Sequence, residues 1–447
     1  MKRRVISTLL CVSMLISLAA CGNAAGGTTT ETTDNTDTKQ VTEAVAEDKD
    51  LTSEVSSDIT ATLRVLNWGD VAEETIANEA IARFNEKYPN VTVEQTCVPV
   101  NEWTDYITKW STMITSGSAP DVVCIGFECT QMALDNQLLL PLNDLIDSDV
   151  DLANTVSQYT DAILSGCSDG DTIYGLPGGT QTMVMYYNKK IFDEKGVAYP
   201  KDGWTWDDFY ETAKALTDGD VYGYGLSSSY FQLTPWWVTN SAYPVSDDWT
   251  TPTVNSDSMV EAVTYLNKFV EEGLTPDPIS SDVYTMFSQK QLAMVGAGRW
   301  CLNTWQDAGL TSDDFDCVQW PQNTQSGTVY GGSAWCIGSA TEQAALSAEL
   351  LKEFVSEETM TEVAAGGQQI PSLKSLATDS EIMGTVPDGI GELWNAVSTA
   401  TVVPAPSFYG ELNTTLLKAL ENVFSGVKTP EDALNEAQAS LEQAVGK

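Results

Sequence analysis

No histidine occurs in the 447 residues. This removes His-paired serine or cysteine nucleophiles, His-ligated zinc and imidazole acid–base work at neutral pH. Among hydrolytic schemes, a carboxylate pair of the glycosidase kind stays open, but no segment shows a general acid poised by apolar surroundings. Basic residues are scarce: 22 Lys and Arg stand against 63 Asp and Glu, a net charge of −41. Nucleic-acid affinity comes largely from Lys and Arg on phosphates, and lying flat on an anionic bilayer needs the same charges, so both partners are disfavoured. The acidic excess reads as a solubility device. Of nine cysteines none stands in C-x-x-C, and past the first 21 residues an odd set remains: Cys97, Cys124, Cys129, Cys167, Cys301, Cys317 and Cys336. Pairing is not deducible from this, and apolar neighbours such as Val123 and Ile125 suggest thiols packed as small hydrophobes. Asp147, Asp149 and Asp151 alternate, but the central glycine of a calcium loop does not follow; no metal and no cofactor are expected.

Positive charge does appear at the start, in Lys2, Arg3 and Arg4. The apolar run Val5 to Ala20 behind it is shorter than the roughly 20 residues of a membrane span, and the pattern is that of a secretory signal over 1–20. Leu18-Ala19-Ala20-Cys21-Gly22 resembles a bacterial lipobox, which implies diacylation of Cys21, extracytoplasmic localisation and a membrane anchor; two or more acyl chains hold a protein stably. The plainer alternative is an ordinary cleavage site with a chance cysteine. Residues 21–59, polar, acidic and Thr-rich, bury too little apolar surface to offset their ordering entropy and read as a disordered tether.

The rest of the chain is long for one core, so two lobes are expected. Periodicity gives a strand from Thr60 to Asn67, a helix from Glu73 to Tyr88 ended by Pro89, a strand at 91–94, a helix from Trp103 to Ile114 and a buried strand at 122–125. This alternation predicts a parallel, doubly wound sheet with right-handed crossovers. Further on, the pattern gives a hairpin at 169–177, strands at 182–188, 292–295 and 334–339, and helices at 189–195, 206–216, 259–271, 299–307, 342–355, 391–398, 411–424 and 430–445.

Four ordered segments carry a resemblance: Ala119-Pro120-Asp121-Val122-Val123; Tyr174-Gly175-Leu176-Pro177 running into Met185-Tyr186-Tyr187-Asn188; Leu292 to Trp300; and Gly331-Gly332-Ser333-Ala334-Trp335 before the helix at Ala348. From about Thr60 to the C-terminus they resemble extracellular solute-binding proteins of the maltose-binding type, which feed ABC-class sugar importers. The resemblance implies an α/β, two-lobed, type II periplasmic-binding-protein-like fold, each lobe a doubly wound sheet flanked by helices. The N-lobe is then expected at 61–180 and 333–373, the C-lobe at 181–332 and 374–447, with crossings near Gly179-Thr180, Gly331-Gly332 and Pro371. Glycine at a crossing suits a hinge because it accepts large φ/ψ changes.

A pyranose presents one face of C–H groups and an equator of hydroxyls, so a sugar cleft needs aromatic faces with carboxylates and amides; 13 tryptophans are available. The resemblance places Trp68 and Asp70 after the first strand, Glu128 beyond the third, Gln181 before Asn188, then Gly298, Arg299 and Trp300, Gly332 and Ser333, Trp335 and Tyr409. Trp236-Trp237 is added because adjacent tryptophans cannot both face one core, so one is expected at the surface. Each has a plain alternative: core packing for Trp68, Trp335 and Tyr409, a helix N-terminal charge for Glu128, a hinge hydrogen bond for Gln181, a protein acid partner for Arg299. Arg299 also admits a narrower reading, an acidic sugar held bidentately. The expected protein is a monomeric, non-enzymatic carbohydrate receptor that closes on its ligand and delivers it to the permease subunits of an ABC importer. A surface glycan hydrolase, or a same-fold receptor for a polyamine or metal chelate, are the alternatives.

Overall fold

The computed structural model describes residues 49–446, Asn101 excepted; the expected signal and the Cys21 anchor lie outside them. Strand β1 (Ala61–Trp68) buries Leu63, Val65 and Leu66. Asp70 then caps α1 (Val71–Lys87) in a reciprocal box with Glu73, an arrangement that stabilises a helix start by about 1 kcal/mol. Ala77, Ala80, Ile81 and Phe84 form its buried stripe, the spacing of a half-buried helix. β2 (Val91–Val98), α2 (Trp103–Thr115) and β3 (Val122–Gly126) complete the first unit. β1 pairs in parallel with both β2 and β3, as a strand–helix–strand alternation requires.

Two sheets organise the molecule. The larger adds β4 (Gly175–Thr182), β9 (Thr328–Ile337), β10 (Ile370–Pro371) and β11 (Ala400–Val402), in the order β10-β4-β9-β3-β1-β2 with β11 beside β9. It is mixed: β9 runs antiparallel to β3 and to β4. The smaller contains β5 (Val184–Asn188), β6 (Tyr222–Gly225), β7 (Leu292–Ala297) and β8 (Phe315–Val318), ordered β8-β5-β7-β6. One residue, Met183, separates β4 in the larger sheet from β5 in the smaller.

Helices α3 (Trp206–Leu216), α4 (Tyr230–Val238) and α5 (Asp257–Glu271) build an aromatic core beside the smaller sheet. Trp206 stacks on Tyr265 with centroids 4.2 Å apart. The C-terminal α8 (Tyr409–Phe424) and α9 (Pro430–Ala444) pack on the same core. On the larger sheet, α6 (Ala344–Phe354) and α7 (Glu357–Gly366) cover α1. Arg83 joins the three helices, bonding Glu353 and Glu362 at 2.6 Å and the Thr359 hydroxyl at 2.6 Å. The seven cysteines from Cys97 onward are free thiols, all but Cys97 buried. Asp149 caps the helix Val150–Val156 and pairs with Lys352 at 2.7 Å, which explains one of the alternating aspartates. No helix among the described residues is long and apolar enough to cross a membrane.

Candidate functional site

At the carboxyl end of β1, between the start of α1 and α7, lies a cavity of about 590 Å³ measured to its open mouth. Strand ends of α/β sheets are where ligands bind. Trp68, Ser333 and Trp335 line it with Glu73, Gln368 and Gln369. The β4–β9 pairing shifts register between Ser333 and Ala334, and such an irregularity re-aims side chains next to a site. The Ser333 hydroxyl donates to the Gln369 carboxamide at 3.0 Å. A Cβ on Gly179 would fall 1.9 Å from that same amide oxygen, so only glycine lets the two segments meet.

The aromatic groups are unequally available. Trp68 meets Trp103 edge to face at 5.4 Å, and its indole N–H is buried without a partner. Trp335 lies flat on Phe354 at 3.7 Å, so one ring face is taken, and its pyrrole edge borders the cavity beside Gly178. Burial, and then the neighbouring Asp70 carboxyl, raise the Glu73 carboxyl above its ordinary value.

A second group of side chains surrounds Glu128, on the short 3-10 turn after β3. This half-buried carboxylate has no side-chain donor or ion pair among the described residues; burial pushes it up to about 7, with its own backbone N–H pulling the other way. At Gly331 a Cβ would stand 2.8 Å from the Phe231 ring and 3.7 Å from the Glu128 carboxylate. Phe231 meets Trp300 at 6.1 Å, and Trp300 meets Tyr284 at 6.4 Å. The Tyr284 hydroxyl accepts from Gln232. Gly298 gives Trp300 its seat, since a Cβ there would fall 2.0 Å from the indole. Gly126 does the same for Trp103, at 2.3 Å.

Several residues singled out from the sequence sit elsewhere. Trp236 and Trp237 are both fully buried, which corrects the expectation that one faces solvent. Helix α4 is enclosed on every side from Leu233 to Val238, so positions 100° apart meet two walls of one aromatic core rather than core and solvent. Trp236 donates to the Tyr224 hydroxyl at 3.1 Å. Among the described residues Arg299 has no acid partner, which corrects that reading as well. Its guanidinium, 7% exposed, donates to the Gln369 carbonyl at 3.2 Å and the Met383 carbonyl at 3.1 Å. Asp70 spends its carboxylate on the α1 cap. Gln181 donates to the Gln368 carbonyl at 3.3 Å. Gly332 packs against the Gly179 carbonyl, where a Cβ would come within 2.5 Å. Tyr409 is buried edge-on to Tyr230 at 5.4 Å.

Glu73, Trp103, Phe231, Gln232, Tyr284, Gln368 and Gln369 were not singled out. Asp70-x-x-Glu73 is a legible capping box, but it tells of a helix start and not of a cavity. Phe231 and Gln232 stand only four residues before Pro235-Trp236-Trp237, in a helix whose all-round apolarity hid which side faces the cleft.

Two α/β sheets joined by short passages, with open aromatic and carboxylate groups at strand ends, define the class of two-lobed extracytoplasmic binding proteins. The chain belongs to the family described as bacterial extracellular solute-binding protein, which it matches over residues 79–385. It is similar, at 24% identity across 96% of this chain and 94% of the relative, to a galactooligosaccharide-binding protein of Bacillus subtilis. At 23% identity over 70% of this chain and 71% of the relative it is similar to an arabinooligosaccharide-binding protein of Halalkalibacterium halodurans. Among solved structures, an ABC substrate-binding protein from Listeria monocytogenes in complex with cycloalternan superposes with a TM-score of 0.74 at 22% identity, covering 87% of this chain and 100% of that one. The sugar-binding protein MalE from Xanthomonas citri gives 0.76 at 16% identity, covering 86% and 97%.

Proposed function

We propose that this chain captures an oligosaccharide outside the cytoplasm by hinge closure and delivers it to the permease subunits of an ABC importer. The observation that carries the reading is the cavity at the end of β1, where Trp68 and Trp335 offer apolar surface beside Glu73, Gln368, Gln369 and Ser333. Sugar C–H faces suit the first set and hydroxyls the second. The names of the relatives support it, since three are binding proteins for galactooligosaccharides, arabinooligosaccharides and maltodextrins. We place the lobes at 61–180 with 333–373 and at 181–332 with 374–447. The passage from the larger to the smaller sheet at Met183 supports the first boundary, while residues 328–332 of β9 and Ala400–Val402 of β11 pair in the larger sheet and do not follow the later ones. We further propose a monomer without enzymatic activity, secreted by the 1–20 signal and held at the membrane by acyl chains on Cys21.

Closure requires that the ligand bind the closed form more tightly than the open one. Tryptophan fluorescence and small-angle X-ray scattering across a panel of galacto-, arabino-, gluco- and uronic-acid oligosaccharides test this. A saturable fluorescence change with a smaller radius of gyration is expected for at least one; none across the panel overturns the reading. Release of reducing ends would point instead to a hydrolase. Metabolic labelling with palmitate tests the anchor: label on the wild type and none on Cys21→Ser.

A further inference from the structure

A helix of the larger sheet and a helix of the smaller-sheet core touch at their first turns, away from the proposed crossings. The strand order β10-β4-β9-β3-β1-β2 puts β10, β4 and β9, the strands at those crossings, on one half of the row of strand ends. β3, β1 and β2 form the other half, and β2 leads into α2 there. The side chains around Glu128 lie between the two margins, over β3 and β9. Neither α2 nor α8 caps its start with a side chain, so neither first turn is fixed from within. Trp103 fixes the start of α2. Its indole lies on Gly126, where a Cβ would fall 2.3 Å from the ring, and it meets Tyr106 edge to face at 5.9 Å. The same ring packs against both the core under β3 and the aromatic core beside the smaller sheet. The next residue, Thr104, meets Gly410 in the first turn of α8. A Cβ on Gly410 would stand 2.6 Å from the Thr104 hydroxyl oxygen and 3.8 Å from the Thr104 Cβ. Glycine lets the two turns touch. Tyr409 beside it is buried, and burial, then the charges of Glu128, Tyr230 and Glu102, raise its hydroxyl, so the residue before α2 is within electrostatic reach of α8. Parting the turns exposes apolar surface that Trp103 shares with two cores, and water opposes that exposure.

We propose that the Trp103-Thr104 turn and Gly410 form a latch between the lobes, held by the chain's own residues, which closes the cleft on the margin opposite its hinge and makes glycan entry wait on its release. This rests on the lobe division and the carbohydrate reading above. It differs from closure driven by the ligand alone. The latch adds a barrier to entry, so association is slower than an open cleft permits. The observed rate then levels off as glycan concentration rises, at the rate of latch opening, because opening precedes binding.

The 3.8 Å between the two Cβ positions matches the separation of about 3.8 Å found across disulfides, and this gives the test. Among the described residues every native thiol but Cys97 is buried, so few compete for pairing. The full chain carrying Thr104→Cys and Gly410→Cys is oxidised without sugar, and peptide mapping by mass spectrometry reads the pairing. Stopped-flow tryptophan fluorescence then follows association of galactooligosaccharide, arabinotriose and maltotriose. The expected result is full pairing of positions 104 and 410 without sugar, association about a hundredfold or more slower than in the reduced form, and recovery with dithiothreitol. Unchanged thermal unfolding of the reduced form confirms the fold. A second variant needs no oxidation: Gly410→Leu wedges the turns apart and should raise the plateau rate several-fold. Absence of pairing without sugar overturns the latch. So does an oxidised form that binds as fast as the reduced one, or a Gly410→Leu plateau equal to that of the wild type. If none of the three probes saturates the wild type, the carbohydrate reading falls and takes the control of entry with it; pairing without sugar is read independently of that outcome.

Discussion

Arg299 offers the sharpest division between a structural and a ligand-binding role. Its side chain is almost wholly enclosed and bridges two carbonyls from separate segments, Gln369 O beside β10 and Met383 O in the helix Ser380–Met383. Burial lowers its pKa, so the charge is tolerated at a cost, with no carboxylate returning that cost. Replacing it with methionine, which is similar in length and apolar, removes two charge-assisted donors. A buried carbonyl left without its donor costs about 1–3 kcal/mol. Relief from holding an unpaired cation offsets part of this, leaving a net loss of about 2–4 kcal/mol. Arg299→Lys keeps the charge but loses the fork that spans both carbonyls, so about half that loss is expected. Urea unfolding followed by tryptophan fluorescence reads the change as a lower midpoint at unchanged slope. Titration with acidic and neutral oligosaccharides reads the alternative. Unaltered stability together with selective loss of acidic ligands would refute the reasoning and return Arg299 to the cleft.

Three further predictions follow from single contacts. Gly298→Ala drives a methyl into the Trp300 indole; the ring must leave its seat, so glycan affinity should drop about tenfold or more, in keeping with the 1–3 kcal/mol scale of an aromatic platform, and wild-type affinity would remove Trp300 from the site. Trp300→Ala should weaken binding with small loss of stability, whereas Trp236→Ala should cost about 3–5 kcal/mol of stability through a core cavity; paired calorimetry and urea unfolding would disprove the assignment if the two swapped. Arg83→Met removes the cation that ties Glu353 and Glu362 to α1 and should cost about 1–3 kcal/mol for these partly buried groups; urea unfolding reads it as a lower midpoint, and an unchanged midpoint would contradict it.

How much was legible in the sequence depended on what each signal measures. Helices with a clear apolar stripe and a cap came out nearly to the residue: Trp206–Leu216 behind Thr205, and Lys189–Lys195 behind Asn188. The doubly wound start was legible because β1, α1, β2, α2 and β3 are consecutive in sequence and adjacent in space. Helix α4 was not, because Pro235 and unbroken apolarity from Leu233 to Val238 carry no 3.6-residue contrast. Nor was the extension of β9 back to Thr328, where Gly331 and Gly332 read as a break although close strand approach needs them. At the site, the position of Trp68 and Trp335 on their strands was legible. Availability was not: whether a tryptophan offers a face, an edge or nothing depends on neighbours such as Phe354 or Tyr224, which are far off in sequence.

The cavity and the proposed hinge share atoms. Gly179 of β4, Ser333 of β9 and Gln369 beside β10 come from three neighbouring segments of the larger sheet, which we propose as the crossings between the lobes, and they meet at one carboxamide: Ser333 donates to it and Gly179 lies against it. The backbone carbonyl of the same Gln369 receives Arg299, and its neighbour Gln368 receives Gln181. Both glutamines also line the cavity. A ligand that bonds either side chain therefore competes for, or reinforces, the contacts that fix the relative placement of the three passages. Binding and closure then need no relay between distant sites, because the differential contact that a population shift requires is made at the crossing itself. Gly179→Ala tests the point: it forces the Gln369 amide away from Ser333 without touching Trp68 or Glu73. Scattering should then show an altered radius of gyration in the absence of ligand, and an unaltered one would separate cavity from hinge.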